Sequence, residues 1–147
     1  MSPKERPLVA WVDGGARGNP GPAGWGVLIT DPDGHEVARL WGFLGEATNN
    51  VAEYEGLIAA LEEAGHLGAT GLEVNTDSQL IERQVKGEYK VRQPHLQQLV
   101  KRVRALAGRL HHFSIMHVPR ARNIVADGLA NRAMDERSGG REPARVS

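Results

Sequence analysis

Apolar and polar positions recur with two different periods along this 147-residue chain, and the changes of period mark its elements. Residues 8–12 form a short apolar run that ends at Asp13-Gly14 and predicts a buried strand. Residues 24–30 predict a second strand, closed by the turn Asp31-Pro32-Asp33-Gly34, and residues 35–44 a third. Short connections between them imply an antiparallel meander. After Thr48 the period lengthens. Val51, Tyr54, Leu57, Ile58 and Leu61 recur at helical spacing, and Gly65 or Gly68 ends that helix. A fourth strand is predicted over residues 72–75, with a helix following over residues 78–86. Pro94 then precedes an amphipathic helix carrying Leu96, Leu99, Val103, Leu106 and Leu110. Phe113, Ile115 and His117 alternate as a fifth strand, and residues 123–134 predict the last helix.

This succession implies an α/β fold: a five-stranded mixed sheet, its first three strands an antiparallel meander, flanked by helices. Residues 1–137 are expected to form one domain. The polar, Gly- and Arg-rich residues 138–147 are expected to be a disordered tail.

Composition narrows the function. Lys+Arg and Asp+Glu balance at 18 each, so no global basic excess points to nucleic acid. Between residues 82 and 110, however, Arg83, Lys86, Lys90, Arg92, Lys101, Arg102, Arg104 and Arg109 face only Glu82 and Glu88. That excess suits phosphates or an ordinary solvated helix face. The absence of cysteine excludes disulfides and thiolate zinc sites. No apolar run reaches the ~18 residues of a membrane span, and no secretory signal is visible before Leu8. The expectation is a soluble, cytoplasmic, monomeric protein.

Four acids in four segments carry the chemistry: Asp13 in Val12-Asp13-Gly14-Gly15, Glu53 in Asn49-Asn50-Val51-Ala52-Glu53, Asp77 in Asn75-Thr76-Asp77-Ser78-Gln79, and Asp127 in Asn123-Ile124-Val125-Ala126-Asp127. Each alone has a plain role: a hairpin turn at Asp13, a solvated helix acid at Glu53 or Asp127, a helix cap at Asp77. Together they read differently. Asp13 and Asp77 follow two predicted strands, while Glu53 and Asp127 lie one helical turn from apolar positions and can reach the same sheet edge. Clustered carboxylates repel one another and call for hard divalent cations, which carry phosphate chemistry.

With the neighbouring Gly18-Asn19-Pro20-Gly21-Pro22, Asn49-Asn50, Ser78-Gln79 and Ala130-Asn131, this pattern resembles the type 1 ribonuclease H family from about Leu8 to Met134. The resemblance implies hydrolysis of the RNA strand of RNA–DNA hybrids with two Mg2+ ions, Mn2+ being an alternative, to leave 5′-phosphate and 3′-hydroxyl ends. It implies that Asp13 bridges both ions, that Asp77 holds the ion activating water, and that Glu53 and Asp127 complete the ligand set. It also implies that Gly14, Gly15, Asn19, Asn49, Asn50 and Gln79 meet the minor groove of the hybrid, and that Thr48 helps hold a DNA-strand phosphate. The 2′-hydroxyl is the sugar group that distinguishes RNA from DNA.

Two departures stand out. Only residues 89–95 separate the two central helices, so the basic, Trp-containing protrusion of many members is absent. No histidine lies between Pro119 and Asp127, where many members carry one in a mobile loop. Arg120, or less directly Arg122, is the expected stand-in, although a guanidinium cannot act as a base. Two rival readings are weaker. A P-loop requires Gly-Lys-Ser/Thr leading into a helix, whereas this glycine loop leads into a strand. A non-catalytic hybrid-binding module has no use for four carboxylates.

Overall fold

The computed structural model describes residues 5–143. Six strands and four helices alternate along it: β1 Pro7–Ala16, β2 Gly21–Thr30, β3 Glu36–Ala47, α1 Asn49–His66, β4 Gly71–Thr76, α2 Gln79–Val85, α3 Pro94–Ala107, β5 His112–His117, α4 Ile124–Glu136 and β6 Gly140–Pro143. The sheet order is β5-β4-β1-β2-β3-β6. β1, β2 and β3 form the expected antiparallel meander, while β1, β4 and β5 run parallel to one another.

Each helix start follows local chemistry. The Thr48 side chain accepts a hydrogen bond from the Val51 N–H and caps α1, and the Ser78 hydroxyl does the same for Ile81 in α2. Pro94 occupies the first turn of α3, where its missing N–H costs nothing. The main core forms where Tyr54, Leu57, Ile58 and Leu61 of α1 and Val103 of α3 meet Leu8, Ala10 and Val12 of β1. A smaller cluster of Trp41, Leu129 and Ala133 lies beneath α4. Among the described residues, no helix is long and apolar enough to cross a membrane.

The count of five strands is corrected to six. β6 comes from the segment expected to be a disordered tail, of which residues 144–147 lie outside the described residues. Its sequence, Gly-Arg-Glu-Pro, has no hydrophobic alternation to announce a strand. Long-range contacts hold it instead. It pairs antiparallel with β3, from Ala38↔Pro143 to Trp41↔Gly140, closing an otherwise open edge. Arg141 donates to the buried Glu63 carboxylate at 2.6 and 3.0 Å. Arg132 pairs with Glu142 at 3.2 Å and stacks over Trp41 at 4.1 Å.

Candidate active site

Strand register places the first two acids. The parallel pairing of β1 with β4 ends at Val12↔Thr76, so Asp13 and Asp77 follow one another's last paired neighbours. Asp13 itself lies inside β1, which continues beside β2 to Ala16 and so exceeds the predicted strand. Asp77 is not the cap of α2, because Ser78 holds that position.

Two glycines allow the other acids to approach. A Cβ on Gly14 would stand 2.4 Å from the backbone carbon of Ala52, so only glycine lets β1 lie against α1 beside Glu53. A Cβ on Gly26, the β2 partner of Asp13, would stand 2.3 Å from the Ala126 carbonyl oxygen. That contact brings α4 onto the sheet with Asp127 next in sequence. Buried Asn123 reinforces it by donating from Nδ2 to the Val12 carbonyl at 2.8 Å, while its own carbonyl accepts from the Asp127 N–H.

Asp13, Glu53 and Asp77 consequently offer carboxylate oxygens within 4.8 Å of one another. All four acids line one open cleft of about 440 Å³, together with Gly14, Gly15, Asn49 and Arg120. Burial pushes the Asp13 carboxyl up to about 8, helped by the charge of Asp77, a hydrogen bond with Asp127, and the charges of Asp127 and Glu53. Burial also raises Glu53 to about 7; a hydrogen bond from the Ser78 hydroxyl opposes this and the charge of Asp77 adds to it. The donor set is therefore all oxygen and crowded, with Arg120 pairing only with Asp127. Hard divalent cations fit it, because they take carboxylate ligands and offset the burial and mutual repulsion that raise Asp13 and Glu53.

Of the expected substrate contacts, Gly14, Gly15 and Asn49 line the cleft, whereas Asn19, Thr48, Asn50 and Gln79 lie outside its lining. Asn49 accepts from the Ala16 N–H at 2.7 Å, and Asn19 accepts from the Asn49 N–H at 3.2 Å. These bonds tie the loop after β1 to the start of α1. Asn50 lies half-buried in the first turn of α1, and Gln79 is exposed at the start of α2. The Thr48 hydroxyl is engaged as the α1 cap. Arg120 begins a short 3-10 turn, with its Nη2 at 3.5 Å from Asp127 Oδ1, whereas Arg122 stacks near Trp11 outside the cleft. The sequence reading missed Arg17, which lines the cleft with Asn131. Its position in the loop after Asp13 was the available signal.

Seven of the eight basic residues of that stretch fall into two groups, with Arg109 beside Arg102 in a third cleft. Lys86, Arg83 and Arg102 pair with Glu82, Glu88 and Glu62. Lys90, Arg92, Lys101 and Arg104 instead line a separate cleft beside Tyr89.

The family described as reverse transcriptase-like matches residues 11–133. A bifunctional protein of Mycobacterium tuberculosis is 49% identical over 129 residues, covering 87% of this chain, which spans only 35% of that protein's length. Ribonuclease HI of Halobacterium salinarum is 46% identical over 127 residues, covering 86% of this chain and 64% of its own length. The crystal structure of the Halobacterium salinarum RNase H1 superimposes with a TM-score of 0.86 at 45% identity, covering 88% of this chain and 98% of that one. LC11-RNase H1, solved in complex with an RNA/DNA hybrid, gives a TM-score of 0.84 at 43% identity, covering 88% of this chain and 98% of that one. Sequence match and superposition agree: the chain belongs to the type 1 ribonuclease H family.

Proposed function

We propose that this protein is a metal-dependent endoribonuclease that hydrolyses the RNA strand of RNA–DNA hybrids, acting as a monomer and leaving 5′-phosphate and 3′-hydroxyl ends. The observation that carries the reading is the convergence of Asp13, Glu53, Asp77 and Asp127 in one open cleft, in a chain similar to an RNase H1 solved with such a hybrid. Asp13, Glu53, Asp77 and Asp127 would hold two Mg2+ ions, or Mn2+ in their place, through their clustered carboxylates. Bound there, the ions supply an activated water and neutralise the leaving oxygen.

The protein's own groups do the rest. The Ser78 hydroxyl orients the Glu53 carboxylate. The bonded triplet of Ala16, Asn19 and Asn49 presents a rigid face to the minor groove, where Gly14 and Gly15 admit a ribose close to the backbone. Asn50 and Gln79 extend that face, and Thr48 stands where a DNA-strand phosphate would be held. Arg120 adds a permanent cation that stabilises charge developing on the phosphate.

The test compares cleavage of end-labelled RNA–DNA, RNA–RNA and DNA–DNA duplexes with Mg2+ or Mn2+ and in excess chelator. Metal-dependent cutting of RNA in the hybrid is expected. Binding without cutting, whatever metal is added, would make the chain a recognition module instead.

A further inference from the structure

Among the described residues, two cations line the acidic cleft, Arg17 and Arg120. Arg120 meets Asp127, in the first turn of α4. Arg17 meets the same helix further along: its Nη2 lies 2.6 Å from Asp135 Oδ1 and 3.5 Å from Asn131 Oδ1. Residues 127, 131 and 135 follow one another at i, i+4 and i+8 and so share one helix face. At 1.5 Å per residue, the two cations engage α4 at points about 6–12 Å apart along its axis. That separation is on the scale of a few phosphates of one duplex strand.

The base of Arg17 is fixed while its tip can exchange partners. Its own N–H donates to the Pro22 carbonyl at 2.8 Å, and the preceding Ala16 N–H is held by Asn49. The guanidinium and the Asp135 carboxylate, by contrast, are 48% and 63% exposed. An ion pair that wet contributes little, whereas a guanidinium–phosphate contact is charge-assisted, can be bidentate and releases counterions.

We infer that Arg17 is a substrate-positioning residue that grips a phosphate of the cut strand away from the scissile bond. Asp135 is the carboxylate that occupies it until substrate arrives. Arg17 then anchors the strand away from the carboxylates and fixes its register, while Arg120 acts at the reacting phosphate itself. The inference rests on the hybrid-cleaving reading above and extends it to a residue outside the carboxylate set.

The experiment measures steady-state cleavage of a labelled RNA–DNA hybrid by wild type, Arg17→Ala, Asp135→Asn and the double variant, at several salt concentrations. Arg17→Ala should raise KM about five- to fiftyfold, as for loss of one charge-assisted contact, with kcat within about twofold. It should also reduce the slope of log KM against log salt by about one. Asp135→Asn should lower KM by about two- to fivefold, the worth of a competing surface pair, and the double variant should match Arg17→Ala alone. An unchanged KM in Arg17→Ala, or equal weakening by Asp135→Asn, overturns the inference and leaves the pair a surface bridge. Wild type that fails to cut hybrid overturns the functional reading itself, and this inference with it.

Discussion

Replacing Asp13 by Asn should abolish turnover and, without metal, stabilise the fold. Asp13 offers its oxygens within 4.8 Å of those of Glu53 and Asp77. At that distance and an effective dielectric near 20, each like-charged pair costs about 3 kcal/mol. The Asp13 carboxyl is raised from 3.8 to about 8, so between those values the folded protein holds a proton that the unfolded chain has lost. The unfolded state binds fewer protons there, so stability falls as pH rises through that window. At about 1.4 kcal/mol per unit, the bound is roughly 5–6 kcal/mol; solvent access and sharing with Glu53 reduce it to about 2–3 kcal/mol. Asn mimics the neutral acid and removes the penalty. The assay is thermal unfolding in excess chelator at pH 5 and pH 9. At pH 5, less than a third of the way through that window, the variant should melt only about 2–4 °C higher. At pH 9 the variant should melt about 6–15 °C higher, at roughly 3–5 °C per kcal/mol for a chain of this size. Its Mg2+-supported cleavage of hybrid should fall by at least two to three orders of magnitude. An Asp13→Asn protein that melts lower at pH 9, or that gains equally at both pH values, would refute the electrostatic account.

Other outcomes follow from the same geometry. Arg120→Ala should lower turnover about ten- to a thousandfold while leaving hybrid affinity and the shape of the pH–rate profile unchanged, because a guanidinium does not titrate near neutrality; wild-type turnover would assign Arg120 to the surface. Neutralising Lys90, Arg92 and Lys101 together should weaken hybrid binding and flatten its salt dependence, measured by fluorescence anisotropy in chelator. An unchanged slope would make that cleft a solvated face. Arg141→Ala leaves the buried Glu63 carboxylate without its guanidinium and should cost about 1–3 kcal/mol in denaturant unfolding, with cleavage retained at temperatures where the variant is folded.

The sequence by itself determined the elements and the inventory of the site. Periods of two and 3.6, with punctuation at Asp31-Pro32-Asp33-Gly34, Thr48 and Pro94, were enough to place five strands and four helices, since local sterics and one-sided burial set those patterns. The four carboxylates were legible because each stands among unusual neighbours in its own segment. Tertiary structure alone decided what approaches what. Nothing local reveals that Gly14 and Gly26 are needed where α1 and α4 press on the sheet, because the clash involves Ala52 and Ala126, far along the chain. Nor could β6 be read from Gly-Arg-Glu-Pro, whose stability comes from the free edge of β3 and from Glu63, 78 residues before Arg141. Arg17 belongs to the same class. Its meaning lies in Asp135 and Asn131, which only the folded chain brings beside it. Pattern along a chain reports burial and turn chemistry, whereas the partners of charged and glycine residues are set by packing between distant segments.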